Sequence, residues 1–95
     1  MKASEGRPGR IFILRLEHGD DVPGCIERFA AQKGISVAQV ILIGGVDRGE
    51  VVTGPRRTEE RPPEPILLPV DGAHELAGVG VLAPNKEGRP VLHVH

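Results

Sequence analysis

The chain has 95 residues, 39% of them hydrophobic, but only two, Phe12 and Phe29, are aromatic, so the core of a lone domain of this size is aliphatic and modest. Stacking platforms that hold single-stranded nucleic acid need several exposed rings, and this composition excludes them. Twelve Lys and Arg against thirteen Asp and Glu leave a formal charge of −1, so no overall basic field draws the chain onto phosphates, and DNA binding would need a local patch.

A single cysteine, Cys25, cannot form an intrachain disulfide, and its position in an apolar pattern suits a small packed residue better than a reactive thiol. No stretch has the apolar run of a signal peptide or a membrane span, which leads to the expectation of a soluble, cytoplasmic protein without a membrane partner. Residues 1–9 are polar, with Gly6, Pro8 and Gly9, and read as a flexible leader ahead of a domain over 10–95. Gly6-Arg7-Pro8-Gly9-Arg10 is similar in composition to the minor-groove core of an AT-hook, but the order of residues is wrong.

The run Ile11-Phe12-Ile13-Leu14-Arg15-Leu16 predicts a first strand over 10–17. His18-Gly19-Asp20-Asp21 follows as a turn in which Asp20 or Asp21 can cap a helix whose first turn holds Pro23. Val22, Cys25, Ile26, Phe29 and Ala30 recur at spacings of three and four and draw the buried stripe of that helix. Glu27, Arg28, Gln32 and Lys33 form its solvated face, and Gly34 ends it.

Val37 to Ile43 predicts a second strand, a bend at Gly44-Gly45, and a third strand from Val46 to Thr53. Between Gly54 and Pro65 lies a charged, proline-rich loop carrying Arg56, Arg57 and Arg61 among Glu59, Glu60 and Glu64. Ile66-Leu67-Leu68 reads as a short strand closed by Pro69, with a turn at Asp71-Gly72. His74 to Leu82 is the next strand, and the absence of side chains at Gly78 and Gly80 on one of its faces means that something comes close there. Pro84 to Gly88 turns the chain into a last strand ending Val91-Leu92-His93-Val94-His95. The pattern gives an α/β (α+β) fold with a mainly antiparallel sheet packed on one principal helix.

His93 and His95 are two residues apart in a strand, so their imidazoles leave the same face and can share one metal ion. Zinc takes neutral imidazole as a ligand, yet a catalytic zinc takes three protein ligands, and the pair supplies two. Glu75, on another strand, is the available carboxylate for an outer-sphere or acid–base role. No nucleophile elbow and no phosphate-binding loop is present, and Gly78-x-Gly80 lacks a following helix, which favours a binding module over an enzyme. The three arginines of the loop are the residues for any phosphate contact.

Four stretches resemble the plants-and-prokaryotes-conserved domain, called PPC or PCC. They are Leu14 to Val22, Ala38 to Val46, Glu75 to Leu82 and, most specific, Gly88-Arg89-Pro90-Val91-Leu92-His93-Val94-His95, which is similar to the family's Gly-(Lys/Arg)-Pro-x-(Leu/Ile)-His-x-His. The resemblance implies a stand-alone bacterial-type DNA-binding or regulatory module, a homotrimer with a packed helix, and a histidine cluster near subunit contacts. It also implies that the domain is short of its C-terminal part, since the family continues into a Gly-Gly-His segment that would bring the third ligand. Ala77-Gly78-Val79-Gly80 departs from the family's Ser-Leu-x-Gly. Three readings follow: a trimeric DNA-associated module with a metal-capable His-x-His, a zinc-dependent small-molecule binder or enzyme using His93 and His95, and a module whose only activity is assembly.

Overall fold

The structure, a computed structural model, describes residues 1–95. It has one helix, α1 (Gly24–Lys33), and three strands, β1 (Ala38–Pro55), β2 (Pro65–Pro84) and β3 (Pro90–Val94). The strands form one antiparallel sheet in the order β1-β2-β3, so the architecture is α+β.

The apolar stripe of α1 lies on the sheet through Ile26 and Ala30, buried against Leu82 of β2 and Leu92 of β3 with Cys25 packed beside them, whereas Val22, expected in the stripe, precedes the helix and is exposed. Gly34 ends the helix in the left-handed region at φ 65°, and the Ile35 N–H closes the turn on the Ala30 carbonyl at 2.8 Å. The start differs from expectation, because neither Asp20 nor Asp21 caps the helix with its side chain. Asp20 accepts the Glu17 N–H at 2.9 Å, while the Asp21 carboxylate takes the Arg28 guanidinium at 2.7 Å. The Asp21 carboxylate is thus committed to a fully charged partner on the second turn of the helix, and that hydrogen bond holds its carboxyl below the ordinary value. The first amides of the helix are met instead by the Asp21 and Pro23 carbonyls.

The expected strand over 10–17 is not formed. The segment has no ladder partner, and Phe12, Leu14 and Leu16 line, together with Val40 and Leu42 of β1, a groove of about 670 Å³. Side chains hold the segment instead. Phe12 meets Phe29 edge to face with ring centroids 5.2 Å apart, and Arg10 lies over the Phe12 ring while donating to the Lys33 carbonyl at 3.0 Å.

Two further pairs of expected strands are each a single long strand. The Gly44-Gly45 pair runs straight through β1, and the Pro69 and Asp71-Gly72 breaks lie inside β2. Where β2 has only β1 beside it, a proline can turn its ring nitrogen to the unpaired edge, so Pro69 stands opposite Glu50 without ending the strand. Gly72, at φ 83°, marks a bulge and not a chain reversal: the register shifts between Val46↔His74 and Arg48↔Asp71. Beyond that bulge, residues 48–55 and 65–71 pair only with each other and project as a two-stranded arm.

Only six residues are buried, and the accessible surface is 8452 Å². A compact monomer of 10.2 kDa exposes roughly 5,300 Å². The radius of gyration is likewise 15.4 Å, against about 12 Å for a compact chain of this length.

Candidate functional site

Antiparallel pairing sets the two faces of the sheet. Ala38, Val40 and Leu42 lie opposite Leu82, Gly80 and Gly78, and this face, with Leu92 and Val94, meets α1. The approach that Gly78 and Gly80 require comes from the chain's own β3: a Cβ on Gly80 would stand 2.7 Å from the His93 carbonyl and 3.0 Å from Val94 Cγ2, and one on Gly78 2.9 Å from Val94 Cγ1. The glycines therefore let the last strand fold its apolar side chains over β2.

The opposite face has no cover. Two rows cross it, Gln39–Val81–His93 and Ile41–Val79–His95, the last pair closed by reciprocal backbone bonds of 2.8 and 2.9 Å. Ile41 is 76% exposed and Ile43 88% exposed, with Val79, Val81 and Val91 also open. His93 and His95 thus stand in an aliphatic surface, with ring centroids 5.7 Å apart and planes tilted by 42°.

This arrangement gives one chain two nitrogen donors on one face. No cluster of three His, Cys, Asp or Glu is placed to hold a metal, so the single chain falls short of a complete zinc ligand set. Glu75 pairs with Gly45, four residues along β2 from the residue opposite His95, a separation of roughly 13 Å. The structure does not bring it to the histidines. His18 lies in the turn before the helix, and His74 is engaged through Nδ1 with the Gly72 carbonyl at 2.8 Å.

Arg56, Arg57 and Arg61 come together at the tip of the arm, and each already has partners. Arg56 pairs with Glu64 at 3.2 Å, and Arg57 with Glu59 at 2.9 Å and Glu60 at 3.3 Å, while Arg61 donates to the Thr58 and Glu60 carbonyls. The Glu59 carboxyl is held below its ordinary value by its own backbone amide and by Arg57. All of these pairs are solvent-exposed, where an ion pair is weak and easily exchanged for another anion.

Cys25 is partly buried on α1, and burial, reinforced by the Asp20 and Asp21 charges, pushes its thiol up from the ordinary value. It is a packed residue and a poor nucleophile. One residue the sequence pattern misplaces is Glu27. Its carboxylate does not face solvent but accepts the Leu92 N–H at 2.8 Å, on the side of β3 that β2 leaves free. Only the register of β3 reveals this role, because nothing within the helix distinguishes Glu27 from an exposed first-turn acid.

No helix is long and apolar enough to cross a membrane. No curated protein and no solved structure matches the chain. The sequence model of the Plants and Prokaryotes Conserved (PCC) domain matches residues 3–95, essentially the whole length, with the His-x-His strand at the end of the match. The chain belongs to the PCC domain family.

Proposed function

We infer that this chain is a self-assembling regulatory module of the PCC type, cytoplasmic and homotrimeric, whose arm tips carry Arg56, Arg57 and Arg61 to the phosphates of duplex DNA. The observation that carries the reading is the uncovered aliphatic face: Ile41, Ile43, Val79, Val81 and Val91 form a contiguous patch of the kind that soluble proteins bury against another subunit. Assembly also brings several tips onto one particle, which multiplies weak contacts that a chain of net charge −1 cannot make alone. The carboxylate partners of the arginines are exposed, so a phosphate can replace them at little cost.

A gel shift with duplex DNA across a salt series tests the DNA contact. Binding is expected to weaken as salt rises, and changing Arg56, Arg57 and Arg61 to Ala to lower the slope of log K against log salt by about one for each phosphate the protein no longer neutralises. No shift at low salt, or a triple variant that binds as the parent does, rejects it.

The His93–His95 geometry favours a second reading, a zinc-dependent small-molecule binder or enzyme. Two imidazoles on one face can hold an ion if another subunit adds the remaining ligand, and an open position on such an ion would activate water. Metal analysis of protein prepared with zinc present is expected to find a stoichiometric ion that disappears when His93 and His95 are both changed to Ala. Metal-free parent protein under those conditions removes this reading.

A further inference from the structure

The arm and the uncovered face have matching chemistry. Successive strand residues point to opposite faces, so Val51 with Leu68 and Val52 with Leu67 make both faces of the arm apolar. All four are exposed, between 47% and 61%. A two-stranded ribbon that pairs with nothing else is marginal in water, and polar residues normally occupy its open side. Arg48, Glu50 and Asp71 lie in the half of the arm nearest the body, and the remaining charge is at the tip, where three arginines and three glutamates balance.

We propose that the arm of one copy lies across the open sheet face of the next, the contact repeating around a closed ring. The proposal rests on the assembly reading above and names the surfaces that make it. The dimensions agree: eight residues of arm span roughly 26 Å, and the open face over β1 residues 38–46 about 30 Å. So does the area, since the chain exposes roughly 3,100 Å² more than a compact monomer, part of it in residues 1–9, while a stable interface needs about 800 Å² from each partner. Pairing face with face would cover the patch but leave both sides of the arm in water. Arm on face covers the patch and one side of the arm with one heterologous contact, and such contacts make rings when the rotation closes. The three arginines and three glutamates of the tip add no net charge to the contact.

Sedimentation equilibrium of the 95-residue chain, with circular dichroism to confirm the fold, decides the matter. An arm variant carries Val51→Lys, Val52→Lys, Leu67→Glu and Leu68→Glu, which keeps opposite charges across the ladder. A face variant carries Ile41→Lys and Val79→Glu, another cross-strand pair. The parent is expected at three times the monomer mass and each variant at the monomer mass, with an equimolar mixture at twice that mass, because one intact arm still meets one intact face. A mixture that stays monomeric, or an arm variant that assembles like the parent, overturns the arm contact and leaves assembly standing. A monomeric parent overturns both. If the arm variant loses its strand signal, Val52→Thr with Leu67→Thr is used, and an association constant lowered less than tenfold overturns the proposal.

Discussion

At the scale of single residues, Gly80 and Glu27 determine how the last strand is held. The space a Gly80 side chain would take belongs to the His93 carbonyl and to Val94, and a backbone carbonyl cannot rotate away. Gly80→Ala is therefore expected to destabilise the fold by about 1 to 3 kcal/mol, read from the urea midpoint at unchanged slope. An equal midpoint would show that β3 can withdraw from β2 without loss. Glu27 acts from the other side, as a charged acceptor for the Leu92 N–H. Replacing it by Ala is expected to cost about 1 to 2 kcal/mol and to raise light scattering at high concentration, since a bare strand edge invites pairing. Glu27→Gln, which keeps an acceptor oxygen, is expected to recover most of both.

At the scale of elements, what could be read from the sequence divides along one physical line. The helix, its C-terminal glycine and the final His-x-His strand follow from patterns local to each stretch, and they stand where the spacing puts them. Long-range pairing is the part that local patterns miss. Pro69 and Asp71-Gly72 look like breaks until β2 is seen to have a free edge there and a bulge opposite Asp47. Ile11 to Leu16 has the composition of a strand, but composition supplies no neighbour, and the segment remains outside the ladder. The same holds at the candidate site. The shared face of His93 and His95 is a property of one strand and is legible, whereas the distance of Glu75 and the engagement of Glu27 depend on register between elements.

At the scale of the whole molecule, the small core sets the energetics. Ile26, Ala30, Leu82 and Leu92 are the buried apolar residues, too few to make a lone copy more than marginally stable. Assembly would then contribute a large share of the folding free energy, and stability becomes a function of concentration. The thermal midpoint is expected to rise by several degrees over a hundredfold increase in protein concentration, measured by circular dichroism. A midpoint independent of concentration would indicate that the monomer is sufficient by itself.

The bulge between Val46 and Arg48 adds a mechanical element to this picture. It joins the arm to the body through two strands alone, so any bending of the arm would have its fulcrum at the bulge. With a length of roughly 26 Å, a rotation of about 10° carries the tip about 5 Å. In the proposed ring, the surface the arm rests on would then set the position of the three arginines, and the span between tips could change without any change in the helix-packed body.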